Sequence, residues 1–352
     1  MLAILKALGQ TQFEFVAAAP ASGMLKNRLE QLGIEVLPLI LRDKQGQKLP
    51  AGQVDSHLLS LISQAAPNLV HSNSLSMGRM VGRIAKRLSM PCTAHLRDII
   101  KLNKTSVADL NNSTGLIAVS NATKRFHAEQ GVMSRKLRVI YNGVDTEVFR
   151  PAPAAGTLRQ ELGLIDSAVL IANIGQICLR KGQTLLAQAA TSLAGDFPDV
   201  NYLFIGQRHS QKTESIEYEK AIRQIFREAG IEERLFCLGF REDIPAILNQ
   251  IDLLVHTARQ EPLGRVLLEA ASCGKAIVAT DVGGTAEILE DQVSAILVQP
   301  DDLSSLTAAI RQMLTDKELR NRLGQQARKD IIEKFSLPEA AEQVRKFWRS
   351  FL

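Results

Sequence analysis

Short continuous apolar runs alternate along this chain with longer segments in which apolar residues recur every third or fourth position. A continuous run bounded by turn residues reads as a strand buried on both faces, and the longer period reads as an amphipathic helix covering it. In the first half, 13–20 (FEFVAAAP), 34–40 (IEVLPLI), 68–74 (NLVHSNS), 91–98 (PCTAHLRD), 114–120 (TGLIAVS) and 137–145 (LRVIYNGVD) read as strands. Helical patterns fall at 23–33, 58–67, 77–89 and from Asn121. The second half repeats the plan, with strands at 168–175, 201–207, 235–240, 252–258, 276–280 and 294–300, helices between them and a further helix from Asp302. A last amphipathic helix, 338–352, carries Val344, Phe347, Trp348 and Phe351 on one face.

Alternation of this kind from end to end is the pattern of an α/β protein with parallel sheets covered by helices on both faces. The Pro- and Ala-rich stretch 150–156 (RPAPAAG) reads as a linker. The expected organisation is two Rossmann-like, doubly wound domains facing a cleft, 1–150 and 151–335, with a C-terminal helix in 336–352 that packs back on the first domain. The chain opens inside a helical pattern, LAILKALG, closed by Gly9. A doubly wound domain places a strand and a loop ahead of such a helix. The first domain is therefore expected to be truncated at its N-terminus, with a start codon further upstream as the simplest explanation.

Composition narrows the class. An apolar fraction of 45% and a charged fraction of 22% fit a soluble globular protein, and 352 residues suffice for two domains. Aromatics at 5%, with a single Trp, argue against stacking platforms for nucleic acid. No apolar run approaches the roughly 20 residues of a membrane-spanning helix, and the opening residues lack the basic and small-residue signature of a signal peptide. Cys92, Cys178, Cys237 and Cys273 are scattered singly in apolar surroundings, which reads as buried thiols in a reducing compartment, the cytoplasm.

The net charge of +5 conceals an asymmetry. Residues 1–150 hold 19 Lys and Arg against 10 Asp and Glu, net +9, and the remainder 23 against 27, net −4. A basic first half suits an anionic contact: a phosphorylated or lipid-linked substrate, or an anionic membrane face. Arg79, Arg83, Lys86 and Arg87 fall within three turns of the 77–89 helix, and Arg97, Lys101 and Lys104 follow the next strand. That pattern is either a weak peripheral membrane contact at the inner face of the cell membrane or a solvated helix back. No motif supports nucleic-acid binding.

In open parallel sheets, ligands bind where strand carboxyl ends lead into helix N-termini. Strand 168–175 runs into GQICLRKG, placing Gly175, Arg180 and Lys181 before a helix; N–H groups at a helix start plus a lysine suit phosphate. After strand 252–258 comes EPLGRVLLEA, with Glu261 in a Pro/Gly loop and Glu269 on the helix behind it. Glu269 can accept two hydrogen bonds from a ribose diol, and Glu261 can reach hydroxyls of a sugar beyond the phosphates. After strand 276–280, Gly283 and Gly284 permit close backbone approach of a ligand. Alone, a Gly-Gly pair is simply a tight turn.

Taken together, EPLGRVLLEAASCGKAIVATDVGGTAEIL resembles the nucleotide-sugar site of retaining GT-B glycosyltransferases, in particular glycosyltransferase family 4. VIYNGVDTEVFRP (139–151) resembles that family's end to the first domain, and FIGQ and LFCLGFREDIPAIL its intermediate segments. The resemblance spans nearly the whole chain, and its E-x7-E spacing is its most specific part. It implies that Glu269 binds the donor ribose, Glu261 contacts sugar hydroxyls near the reacting carbon, and Lys181 neutralises the diphosphate leaving group. Leu263, Gly264 and Arg265 would line the sugar and phosphate site, and His95 would face the sugar from the first domain. Asn142 and Ser120 are expected to hold loops in place, and His71 and His256 to be structural. The implied reaction transfers a hexose from a nucleotide diphosphate sugar to an acceptor hydroxyl with retention, without a metal or other cofactor, in cell-surface polysaccharide or glycolipid synthesis.

Gln176 departs from the family, which has Arg at that position; Arg180 or Arg265 would have to replace it. Two rival readings stay open. One is a catalytically inactive nucleotide-sugar-binding or scaffold protein, on account of Gln176 and the short N-terminus. The other is a sugar-nucleotide 2-epimerase on the same fold.

Overall fold

A computed structural model of the chain describes residues 1–9, 13–153 and 157–352; residues 154–156 of the expected linker lie outside the described residues. The chain divides into two units, Met1–Gly143 together with Leu337–Leu352, and Val144–Ser336. The division falls at Gly143, ahead of the Pro- and Ala-rich stretch.

The first unit runs α1 (Leu2–Leu8), β1 (Val16–Ala19), α2 (Met24–Gln31), β2 (Glu35–Pro38), α3 (Ala51–Ala65), β3 (Val70–Ser72), α4 (Leu75–Ile84), β4 (Cys92–Leu96), α5 (Lys104–Asn111), β5 (Gly115–Ala118), α6 (Asn121–Glu129) and β6 (Leu137–Val139). Its strands form a parallel pair, β1–β2, and a parallel four-stranded sheet, β3-β4-β5-β6. Every position of β4 and β5 is buried, which is why both read as unbroken apolar runs. The expected helix at 58–67 begins earlier, at Ala51. Pro50 precedes it, and Val54, Leu58 and Leu61 bury at helical spacing. α5 had no counterpart in the apolar pattern. It is mostly polar, and Asn103 starts it by accepting from Ser106 N at 2.8 Å. The C-terminal helix, Leu337–Arg349, packs on α1, with Phe347 and Trp348 against Ile4 and Ile140.

The second unit runs α7 (Thr157–Glu161), β7 (Val169–Ile174), α8 (Gln183–Leu193), β8 (Val200–Ile205), α9 (Thr213–Glu228), β9 (Leu235–Gly239), α10 (Ile244–Gln250), β10 (Leu253–His256), α11 (Arg265–Ser272), β11 (Ala276–Thr280), α12 (Thr285–Ile288), β12 (Ile296–Val298), α13 (Leu303–Thr315) and α14 (Lys317–Lys334). One parallel sheet, ordered β12-β11-β10-β7-β8-β9, carries the unit. From β7 the chain winds outward to β9, then returns to the other side of β7 as β10 and winds outward again. Successive crossovers therefore leave in opposite directions between β7 and β10, and their carboxyl ends flank the crevice where such sheets bind ligands. Ile171, Val255 and Val278 join Leu186, Tyr202, Phe204 and Phe226 in the core that holds this point rigid. Of the cysteines, Cys92 and Cys273 are buried, but Cys178 is only partly buried and Cys237 is exposed. Cys237 lies on β9, an edge strand of the sheet.

Candidate active site

The loops that follow β7 and β10 are tied to one another. Asn173, on β7, donates to Val255 O at 2.8 Å; Thr257 Oγ1 donates to Lys181 O at 3.1 Å; Arg259 N donates to Arg180 O at 2.8 Å. Arg180 adds a bond from its guanidinium to Gln260 O at 3.2 Å, so the arginine expected at the phosphates is engaged as a strap. Gly182 makes this contact possible. Its φ is +62°, and a Cβ there would overlap Thr257 O.

Within this frame three side chains converge. Lys181 Nζ lies 2.5 Å from Glu261 Oε2, and His256 Nε2 lies 2.9 Å from the same oxygen. Side-chain exposure is 14% for Lys181, 8% for Glu261 and 2% for His256, so the cluster is nearly dry. The Lys181 stem crosses Gly175, where a Cβ would meet Cε at 3.6 Å. Burial alone would raise the Glu261 pKa. The His256 hydrogen bond and the Lys181 charge outweigh it and hold the carboxyl far below its usual range. Burial first, then the Lys181 charge, depress the His256 pKa against the pull of Glu261. The ring is neutral, with its proton on the Nε2 that faces the carboxylate.

Glu269 sits differently. It lies in the second turn of α11 with 20% of its side chain exposed, and Arg265 Nε stands 3.8 Å away. Burial raises its pKa and Arg265 partly opposes this. No hydrogen bond reaches its carboxylate among the described residues, which leaves both oxygens available to a diol. Leu263 is buried, and Gly264 precedes α11 at φ +100°. The Arg265 side chain is 77% exposed.

Gly283 and Gly284, expected to admit a ligand, also make a close approach of their own. The close approach is to protein backbone: a Cβ on Gly283 would overlap Glu261 O, and one on Gly284 would lie 2.6 Å from Pro262 O. Gly284 N also donates to Glu261 O at 2.9 Å. The pair therefore seats the loop that presents Glu261. Gln176 O accepts from the buried Gln183 side chain at 2.9 Å, which orders the turn leading to Lys181.

His95 belongs to the first unit. It is the penultimate residue of β4, 1% exposed, with Nδ1 3.1 Å from Arg97 and its ring 6.0 Å from that of His71. Its Nε2 is buried and unpartnered among the described residues. Burial, followed by the Arg97 charge, pushes its pKa well down, so the ring is neutral. Ser120 caps α6 by accepting from Thr123 N, and Asn142 Oδ1 accepts from Arg97. His256 and Thr257 are the residues that the chain pattern concealed. The available signal was a histidine ending an apolar strand five positions before Glu261.

Residues 155–330 match the family model for glycosyl transferases group 1, and residues 1–148 match the model for Glycosyltransferase Family 4. Among curated proteins, the chain is 26% identical over 308 residues to the Escherichia coli UDP-Gal:alpha-D-GlcNAc-diphosphoundecaprenol alpha-1,3-galactosyltransferase, covering 83% of this chain and 77% of that protein. It is 25% identical over 277 residues to N-acetyl-alpha-D-glucosaminyl L-malate synthase of Bacillus anthracis, covering 76% and 70%. Among solved structures, Anabaena HepE in complex with UDP and glucose superposes with a TM-score of 0.87 at 25% identity, over 99% of this chain and 94% of that one.

Proposed function

Because the chain belongs to the group 1 glycosyl transferases, with a first half of Glycosyltransferase Family 4, we propose that it moves a hexosyl group from a nucleoside diphosphate sugar to an acceptor hydroxyl with retention of configuration. The observation that carries this reading is the nearly dry Lys181–Glu261–His256 cluster where the second unit's sheet reverses its winding, together with the Glu269 carboxylate on α11, which accepts no hydrogen bond among the described residues.

Each residue has a task its chemistry suits. Glu269 accepts the two ribose hydroxyls. Lys181 neutralises charge that develops on the departing diphosphate, an interaction strengthened in a site with little water. Glu261 accepts from donor-sugar hydroxyls and lies near the positive charge that develops at the anomeric carbon. Gly175, Leu263 and Gly264 bring backbone close to the phosphates and sugar, with Arg180 and Arg265 at the rim. The acceptor attacks on the face the diphosphate leaves, and the donor phosphate takes the proton, so positioning and electrostatics supply most of the rate. A uridine nucleotide is the base we favour, since the HepE complex holds UDP and the Escherichia coli relative is named for UDP-Gal. The acceptor is a sugar carried on a lipid or phosphate, which the basic first half and the diphosphoundecaprenol substrate of that relative both support. Lys181 does the work a divalent cation does elsewhere, and turnover is accordingly insensitive to chelators.

Proton NMR of the first product formed tests the stereochemistry. An α-linked product from an α-configured donor supports retention, and a β-linked one overturns it. Hydrolysis or turnover of no donor at all would favour the scaffold reading that Gln176 suggests.

A further inference from the structure

We propose that His256 is the positioning residue of this site: its Nε2–H holds Glu261 Oε2 in place while Lys181 passes from that same oxygen to the diphosphate of the donor. The inference rests on the reading above, in which Lys181 and Glu261 serve the donor.

Two donors share one acceptor atom. Lys181 and His256 both bond Glu261 Oε2, at 2.5 and 2.9 Å, and Oε1 has no hydrogen-bond partner among the described residues. The carboxylate is thus held by one oxygen and free to accept a sugar hydroxyl at the other. The lysine is bound in a contact it must leave. An arriving diphosphate carries more negative charge than one carboxylate and draws Lys181 Nζ toward it. That movement would strip a carboxylate of 8% exposure of its cation. Left with no donor, such a group takes up a proton or swings toward water, and either change destroys the geometry presented to the sugar.

His256 removes that problem because of what it is and where it stands. Its ring is neutral, so it bonds the carboxylate without competing with the diphosphate for counter-charge. Among the described residues the other cation acting on the ring is Arg180, which is strapped to Gln260 O. His256 ends β10, registers against Ala279 on β11, and its carbonyl accepts from Thr280 Oγ1 at 3.4 Å. Lys181 instead reaches in from a short turn, Leu179–Lys181, on a stem with four rotatable bonds. One partner is fixed to the sheet and the other is built to move, a division suited to a site that must exchange an ion pair without losing alignment.

The test compares His256→Leu, which keeps the bulk and removes the donor, with His256→Gln, which keeps an N–H at similar reach. The readouts are steady-state turnover of the donor sugar, the pH profile of kcat/KM, and calorimetric binding of UDP. His256→Leu should lose about tenfold to a hundredfold in kcat, the range for one hydrogen bond to a charged group. UDP affinity should hardly change. The acid limb of its profile should move up toward the ordinary carboxylate range, because Glu261 has lost a bond to its charged form. His256→Gln should recover most of the turnover and the acid limb.

Parental turnover and an unmoved acid limb in His256→Leu overturn the inference, as does an equal loss in both variants. Should His256→Leu fail to fold, His256→Asn, whose N–H is too short to reach Oε2, takes its place against His256→Gln. Full activity of Glu261→Gln and Lys181→Ala would sink the donor-site reading itself. Loss in those two variants with none in His256→Leu sinks only the role of His256.

Discussion

At the scale of single residues, histidines show how little a residue type says and how much its surroundings do. His71, His95 and His256 all have depressed pKa values, chiefly from burial, yet only His256 touches a carboxylate. From the sequence, His71 and His256 read as structural, and only the family resemblance set His95 apart as a residue facing the sugar. The partner of His256 lies in a loop, and no periodicity reports a contact between a strand end and the loop after it. The Glu261–Glu269 spacing was legible because both residues belong to one loop-and-helix segment. Lys181, 80 positions from Glu261, became legible only through strand-end placement and the family resemblance.

His71 also gives a stability prediction. Its folded pKa falls from 6.5 to about 3, so between those values the unfolded chain binds a proton that the native ring refuses. The stabilisation from the neutral ring is complete above pH 6.5 and is lost as pH falls toward 3. One such group contributes a slope of at most about 1.4 kcal/mol per pH unit. Trp348, the single Trp of the chain, packs 5.2 Å from His71 and donates to its Nδ1, so its fluorescence follows this unit. Urea midpoints read by that fluorescence should fall between about pH 7 and about pH 5, and less so in His71→Asn, which keeps an acceptor. An identical pH dependence in both proteins would contradict the assignment.

At the scale of elements, buried parallel strands were the easiest to read. β11 has the bounds its apolar run predicts, and β7, β8 and β9 lie within a residue of theirs at each end apart from β8, which ends two residues early. β7, β8 and β11 are buried on both faces, so composition and boundary coincide there, while the edge strand β9 is covered only in part. α5 was invisible for the converse reason, since a capped, mostly polar helix leaves no apolar stripe. The Gly283–Gly284 turn was legible as a close approach but not as to what it approaches. Gly283→Ala tests that contact. With φ at +57° and Glu261 O in the way, it should destabilise the second unit by about 2 kcal/mol and weaken donor binding by displacing the Glu261 loop. Thermal melting with and without UDP measures both, and an unchanged donor affinity would show that the glycines do not seat that loop.

The basic stretch of α4 is also altered by the structure. Arg83 bonds Asp55 through Nε at 2.9 and 3.0 Å, which neutralises one of the four cations read from the sequence. Lys86 and Arg87 are exposed in the turn that follows, as are Lys101 ahead of α5 and Lys104 at its start. We therefore expect only weak sedimentation with anionic vesicles, released by salt. Binding that persists unchanged at high salt would rule out the electrostatic contact. No helix among the described residues is long and apolar enough to cross a membrane.

At the scale of the whole molecule, the two units differ in how their sheets are built. The second has one continuous sheet whose order places its first strand at the centre, and every donor-site candidate except His95 stands at that sheet's carboxyl edge. The first holds a two-stranded and a four-stranded sheet, and no strand joins them among the described residues. Alternating strands and helices announced this class of fold without help from the resemblance. Strand order did not follow from the alternation, because it depends on which crossovers turn back, a choice made by tertiary packing.

On the proposed function, the second unit binds a nucleoside diphosphate sugar through Glu269 and the Lys181–Glu261 pair. Calorimetric titration of the full chain with UDP, GDP and ADP sugars, each repeated on Glu269→Ala, tests it most directly. A UDP sugar should bind the parent chain, and Glu269→Ala should weaken that binding by about tenfold or more, the cost of losing hydrogen bonds to a charged acceptor. Equal affinity in the parent and the variant, or no binding of any of the three donors, would contradict it.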